Sequence, residues 1–160
     1  MSIVNKRLNR FKHQINNNNI QELFNIPEKT DNESIKIDIG EIDKSRITLH
    51  INYEYKYNSF FFDNLPPEIN NIIDSFLVEN LKLEFQIKFP FDYPFNNTLW
   101  FLTNLESNSY NKKNLISHYV FKVNNHNIIN KKHWNAAILI DKDILFFVSN
   151  ILDFKNVLLS

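Results

Sequence analysis

The side chains of this sequence that could do chemistry are concentrated near its C-terminus. Three of its five histidines, His118, His126 and His133, precede two aspartates, Asp141 and Asp143. Imidazole and carboxylate groups are zinc ligands, and a histidine beside a nucleophile is a common general base. The spacings contain no compact ligand pair such as His-x-x-x-His, and no nucleophile accompanies the histidines. We therefore predict no metal site and no catalytic residues.

Two residue types that many enzymes need are missing or rare. The chain has no cysteine, which excludes thiolate nucleophiles, disulfides and zinc–cysteine sites. Its single glycine, Gly40, cannot form a phosphate-cradling loop or a nucleophile elbow. Basic and acidic residues number 18 each, which argues against binding dominated by phosphate contacts. We expect no cofactor and no nucleic-acid partner.

The composition predicts one folded domain spanning residues 1–160. The chain is 43% hydrophobic and 14% aromatic, which suffices for a packed core at this length. Its basic N-terminus is followed by no apolar run, and no apolar segment is long enough to span a bilayer. We expect an intracellular, cytoplasmic protein with no membrane partner, located in the host cytoplasm or the virion if the source is viral.

Hydrophobic periodicity predicts the first helix and the sheet. Val4, Leu8 and Phe11 recur at helical spacing and predict a helix at residues 2–15, which an Asn-rich connector at residues 16–19 should end. Alternation of apolar and polar residues then predicts antiparallel strands. The predicted strands span residues 34–40, 47–57, 81–89 and 99–102.

The remaining segments complete an α+β fold. A short helix is predicted at residues 69–77, and residues 104–133 are polar and predict a long irregular segment. Asp141 is predicted to cap a C-terminal helix that bears an apolar stripe from Ile144 to Leu152. The expected order is an N-terminal helix, a four-stranded antiparallel meander, the irregular segment, and a C-terminal helix packed on the sheet.

Three segments resemble the ubiquitin-conjugating enzyme (UBC) family, in the family's order. NKRLNRF at residues 5–11 resembles its opening helix, and LEFQIKFPFDYPFNNTLWFLT at residues 83–103 resembles its third strand, Tyr-Pro-Phe turn and fourth strand. HWNAAILIDKDILFFVSNIL at residues 133–152 resembles its Trp-Ser-Pro-Ala turn and following helix. The resemblance implies a UBC-like fold, with Tyr93, Pro94 and Trp134 as its signature residues.

The sequence also departs from that family at the catalytic loop. The family's nucleophile is a cysteine in a loop that follows a His-Pro-Asn box. Here His118 stands near the box histidine but no Pro-Asn follows, and residues 125–127 are Asn-His-Asn in the cysteine region. Asn97 and Thr98 replace prolines, and the sequence ends before the family's last helices. The resemblance therefore implies an inactive variant, related to cysteine-less conjugating-enzyme variants and RWD domains.

Cysteine-less members of this family act as interaction modules, and the resemblance implies the same role here. The expected partner is ubiquitin, an active conjugating enzyme or another protein. Ligases contact active members at positions that correspond here to the following residues: Lys6, Arg7, Phe95, Asn135 and Ala136. These are the predicted partner-binding residues, although Lys6 and Arg7 also suit a solvated helix face and Phe95 also suits core packing.

Two other classes of function remain open from the sequence. A structural or assembly protein, for example of a large viral particle, would keep the fold only as a scaffold. An enzyme of another class would use His126, His133 and a carboxylate. The residues do not determine the oligomeric state.

Overall fold

A computed structural model describes residues 2–17, 32–57, 65–76 and 78–160, with the side chains of residues 73–76 excluded. Half of the predicted Asn-rich connector, residues 18–19, lies outside the described residues, and residues 16–17 continue the first helix instead of ending it. The helices are α1 Ile3–Asn17, α2 Pro67–Phe76, α3 Lys112–His133, α4 Ile140–Ile151 and α5 Phe154–Leu158. The strands are β1 Glu33–Ile42, β2 Arg46–Lys56, β3 Val78–Lys88 and β4 Leu99–Ser107.

The four strands form one antiparallel sheet in the order β1-β2-β3-β4. Alternate side chains of the two central strands are almost fully buried, as the two-residue periodicity predicts. These residues are Ile47, Leu49, Ile51 and Tyr53 in β2, and Leu81, Leu83, Phe85 and Ile87 in β3. The N-terminal helix, the four-stranded antiparallel sheet and the C-terminal helix of the predicted α+β fold are confirmed.

The turn between β1 and β2 is stabilised by the side chain of Asp43. The Oδ1 atom of Asp43 accepts hydrogen bonds from the backbone N–H groups of Ser45 at 2.7 Å and Arg46 at 2.9 Å. The Ser45 bond is the main cause that lowers the pKa of Asp43, because it favours the carboxylate. The turn therefore holds the register of the hairpin through a charged acceptor.

The prediction of a long irregular segment is wrong, because residues 112–133 form the 22-residue helix α3. Its inward face combines apolar and polar residues at helical spacing: Leu115, Tyr119, Val123, His126 and Asn130. Its outward face carries Ile116, Val120, Phe121 and Ile128, which are exposed. Because hydrophobic residues lie on both faces, the sequence shows no amphipathic stripe.

Helix α4 covers the sheet through Phe147, whose ring lies 5.0 Å from Phe85 and 4.1 Å from Trp100 between ring centroids. The predicted cap is wrong, because α4 begins at Ile140 and Asp141 lies inside its first turn. There the carboxylate faces the positive end of the helix dipole.

The short helix α5, which the sequence did not predict, closes the core by packing Phe154 on the ring of Tyr53, at 4.9 Å between centroids. None of the helices in the described part of the chain is both long and apolar enough to cross a membrane.

Candidate functional site

The three segments that resemble the UBC family meet at one corner of the molecule. We call this the Arg7 corner: Arg7, Tyr93, Pro94, Trp134, Ala136 and Ile138. Arg7 Nη1 donates to the carbonyl oxygen of Ile138 at 2.9 Å and to Tyr93 Oη at 3.2 Å, and Nη2 donates to the carbonyl oxygen of Ala136. One guanidinium group therefore joins α1 to the Tyr-Pro-Phe turn and to the loop before α4.

Two aromatic side chains, Tyr93 and Trp134, fix the Tyr-Pro-Phe turn to the domain. Tyr93 is 4% exposed and packs edge-on against Phe89, at 5.0 Å between ring centroids. Trp134 Nε1 donates to the carbonyl oxygen of Pro94 at 2.7 Å, and the Tyr93–Pro94 peptide bond is cis. Burial raises the pKa of Tyr93, and the hydrogen bond from Arg7 opposes that increase. The turn is fixed to the domain by both packing and polar contacts.

The structure separates the five predicted partner-binding residues into two groups. Lys6, Phe95 and Asn135 lie on the surface, and Phe95 is 75% exposed. Arg7 and Ala136 are half-buried and bond to each other. Arg7 thus has an architectural role that sequence reasoning did not assign to it, and partner binding by all five residues stays a prediction.

A buried polar cluster lies where β4, α3 and α4 meet. We call it the His126 cluster: Thr98, Trp100, His126, Asn130 and Asp143, each less than a tenth exposed. Asp143 Oδ2 accepts from Thr98 Oγ1 at 2.5 Å and from Trp100 Nε1 at 3.3 Å. Asp143 Oδ1 accepts from Asn130 Nδ2 at 2.9 Å and lies 3.2 Å from His126 Nε2. Four donors thus surround a carboxylate that is removed from water.

The proton of His126 is assigned from these contacts. A carboxylate cannot donate, so the approach of Asp143 Oδ1 places the proton on His126 Nε2. Asn130 Nδ2, although 3.0 Å from that nitrogen, then donates to Asp143 instead. In the neutral ring Nδ1 is left as an acceptor, and it is buried with no partner among the described residues.

Residues 125–127, the predicted counterpart of the cysteine loop, lie within helix α3 instead. The side-chain amide of Asn127 pairs with the backbone of Trp100: its Oδ1 accepts from the N–H at 2.8 Å and its Nδ2 donates to the C=O at 2.9 Å. Strand β4 is an edge strand, so this amide satisfies backbone groups that no further strand pairs. No sequence motif indicated this contact.

The chain matches no protein-family model, and no curated protein and no solved structure is significantly similar to it. The resemblance to the UBC family therefore depends on the three quoted sequence segments alone.

The other two histidines of the segment, His118 and His133, have different surroundings from His126. His118 Nε2 lies 3.4 Å from Asp153 Oδ2, and Lys122 Nζ lies 3.3 Å from the same oxygen. His133 is exposed at the end of α3. Within the described residues, no three His, Cys, Asp or Glu side chains are grouped so that they could hold a metal ion.

Proposed function

We propose that this chain is a non-catalytic, UBC-like interaction domain of the cysteine-less type to which RWD domains belong. The observation that carries the proposal is the exposed aromatic ring of Phe95 on a turn that is anchored from behind. Aromatic residues on rigid supports are typical anchors of protein interfaces, because little conformational freedom is lost when they bind.

The family assignment is supported by the convergence of its motifs. Arg7, Tyr93 and Trp134 come from three separate segments that resemble the family, and in the folded chain Tyr93 contacts both Arg7 and Trp134. The helix–meander–helix order agrees with the same assignment. Unrelated sequence matches would have no reason to meet at one point.

The non-catalytic assignment has two supports. The sequence has no cysteine, and a thioester needs a thiol. Helix α3 also occupies the segment in which the family's nucleophile would lie on a loop. His126, the residue in the middle of that segment, is buried and bonded to Asp143.

The proposed binding surface comprises Lys6, Phe91, Phe95 and Asn135. Phe91 is fully exposed and precedes Phe95 on the same loop. Asn135 Oδ1 accepts from the backbone N–H of Ala137 at 2.8 Å, which closes the neighbouring loop into a fixed turn. Together these residues would offer a partner two aromatic rings, one cationic group and one amide group, which suits a protein with an apolar patch.

The experiment is a titration of the isotope-labelled protein with ubiquitin and, separately, with active conjugating enzymes, followed by amide chemical shifts. We expect one of them to perturb residues 91–95 and 135–137, and Phe95→Ser to weaken that binding by about tenfold or more. Phe121→Ser is the matched control, because Phe121 is 66% exposed on the outward face of α3. Unchanged spectra with all of these partners would sink the ubiquitin-specific proposal.

A second candidate function is assembly, and the outward face of α3 favours it. Phe121 and Ile128 are 66% and 65% exposed and lie two helical turns apart on one side, with Val120 beside them. Such a stripe suits contact with another copy or with a larger particle. Light scattering over a concentration series should show self-association that Phe121→Ser reduces and Phe95→Ser does not. A strict monomer at every concentration would contradict this candidate.

A further inference from the structure

Helix α3 carries lysines but no aspartate or glutamate, although the chain as a whole has 18 basic and 18 acidic residues. The lysines of α3 are Lys112, Lys113, Lys122, Lys131 and Lys132. Among the described residues only Lys122 of these five forms an ion pair, with Asp153. The other four are exposed, two at each end of the helix. This helix is therefore a basic surface on a neutral chain.

Helix stability does not explain the lysine pair at the N-terminal end. Lys112 and Lys113 lie in the first turn of α3, which has no acidic residue. The positive end of the helix dipole disfavours cations there. A negatively charged partner would remove that disadvantage.

Between the two lysine pairs, the outward face of α3 bears a regular pattern. Phe121 is 66% exposed and Ile128 is 65% exposed. The exposed residues Ser117 and Asn124 alternate with them, so the four positions are separated by four, three and four residues. That spacing is the one by which one helix packs along another. The face therefore suits a second helix that lies along α3.

The charges determine which helix fits. In a pair of α3 helices from two copies, lysines would face lysines in either orientation, because a lysine pair lies at each end. A lipid bilayer would have to bury Ser117 and Asn124 together with Phe121, at the cost of removing polar groups from water. A helix with an apolar centre and acidic ends meets neither cost.

We propose that the outward face of α3 binds an acidic, amphipathic helix of a partner protein. Apolar side chains of that helix pack on Phe121 and Ile128, and its carboxylates pair with the lysines at the two ends. Lys113 and Lys131 lie about 27 Å apart along the helix axis, at about 1.5 Å per residue. The carboxylate groups of the partner should be separated by a similar distance. The inference names a partner for the assembly candidate and is independent of the surface at Phe95.

The test uses two synthetic helical peptides that share one apolar stripe. One peptide carries glutamates in its first and last turns, and the other carries lysines at the same positions. Each is labelled and titrated with the full chain, and binding is followed by fluorescence anisotropy. We expect the glutamate peptide to bind about tenfold more tightly or better, and its affinity to fall as salt is added. Its amide shift changes should map to the outward face of α3 and not to residues 91–95.

Two double variants provide a matched control for charge. Lys131→Gln with Lys132→Gln should weaken binding of the glutamate peptide about tenfold. Lys44→Gln with Lys82→Gln removes the same charge from exposed positions outside α3 and should change binding less than about twofold. Amide spectra check that both double variants keep the fold.

The apolar contact has its own pair of variants. Phe121→Ser should weaken binding of the glutamate peptide about tenfold, whereas Phe95→Ser, at a position that is 75% exposed on another surface, should not. If the peptide binds while ubiquitin and conjugating enzymes leave the spectra unchanged, only the proposed function at Phe95 is contradicted.

Four results would overturn the inference. They are equal affinities for the two peptides, equal effects of the two double lysine variants, tighter binding to vesicles that contain phosphatidylserine than to the glutamate peptide, and no peptide binding. Self-association without peptide binding would assign the face to a second copy instead.

Discussion

The Arg7 corner and the His126 cluster are each built around one charged group, but the two charged groups lie in different surroundings. The guanidinium of Arg7 is half-buried and donates to backbone carbonyl oxygens and to Tyr93. The carboxylate of Asp143 is 5% exposed and accepts from side chains in the interior. No buried side-chain nitrogen or oxygen of the corner lacks a partner among the described residues, whereas His126 Nδ1 in the cluster does.

Because of this difference, removing a polar partner should affect the stability of the two regions unequally. A half-buried charge that loses a partner can be hydrated, so the loss of free energy is moderate. When a buried carboxylate is removed, no water can take its place as an acceptor. Several surrounding donors are then left unsatisfied at once. We therefore expect the cluster to govern stability, and the corner to govern the shape of the exposed turn.

The largest expected effect comes from Asp143→Ala. The substitution leaves the donors of Thr98, Trp100 and Asn130 without their acceptor, and we expect the free energy of unfolding to fall by about 3–5 kcal/mol. Urea denaturation measures it. Asp141→Asn, two residues earlier on the same helix, should cost less than about 1 kcal/mol because it weakens a helix-dipole interaction. Similar losses for both variants would contradict the importance of the buried carboxylate.

At the corner, Arg7→Ala should lower the free energy of unfolding by about 2 kcal/mol, because its hydrogen bonds to Tyr93, Ala136 and Ile138 are lost. Lys6→Ala is the neighbouring control and should change stability by less than about 0.5 kcal/mol, since Lys6 is exposed. If Arg7→Ala proved as mild as Lys6→Ala, the corner would not be held by its guanidinium.

The link between α3 and the sheet edge should show a smaller effect. Asn127→Ala removes both bonds to the backbone of Trp100, and we expect a loss of about 1–2 kcal/mol. Hydrogen exchange of the Trp100 amide should accelerate more than that of amides in the central strand β3. Asn125→Ala, at an exposed position two residues earlier, provides the control.

The smallest effects concern two buried tyrosines, one with a partner and one without. Tyr53 Oη donates to Glu33 Oε1 at 2.8 Å, whereas Tyr119 Oη is buried with no partner among the described residues. At neutral pH, Tyr53→Phe should therefore destabilise the fold by about 1 kcal/mol, and Tyr119→Phe should be neutral or slightly stabilising. Thermal unfolding of both variants measures the difference, and a larger loss for Tyr119→Phe would contradict it.

The same tyrosines should contribute to the loss of stability at alkaline pH. Burial is the main cause that raises the pKa of Tyr53 and Tyr119 far above the ordinary value. The unfolded chain releases these protons near pH 10 while the folded chain retains them. Their contribution to stability is therefore complete below about pH 10 and is lost as the pH rises further. Tyr119→Phe should make that alkaline loss shallower.

The central strands show what the local pattern of apolar and polar residues can predict. The alternation in β2 and β3 predicted their buried faces because a strand with one face in the core must place apolar residues at every second position. Helix α3 was missed because His126 and Asn130 take core positions while Phe121 and Ile128 face outward. The spacing of Leu115, Tyr119 and Val123 was the available signal, but the many Asn residues, which have low helix propensity, obscured it.

Local sequence pattern could not predict the Arg7 corner or the His126 cluster, because the contacting residues are far apart in the sequence. Arg7 and Tyr93 are 86 residues apart, and Thr98 and Asp143 are 45 apart. Spacing within one element says nothing about partners at that separation. The quoted motifs indicated that Tyr93 and Trp134 matter, but not that Arg7 would bond between them.

The sequence by itself determined the α+β class, the inner face of the sheet and the exclusion of thiol chemistry, because residue type and local periodicity suffice for each. Only the tertiary structure decided that the segment after β4 is a helix, that Arg7 supports the Tyr-Pro-Phe turn, and that Asp143 holds His126 while its Nδ1 has no partner among the described residues. Each of those depends on burial and on polar groups that satisfy one another across distant segments, which a single stretch of sequence does not encode.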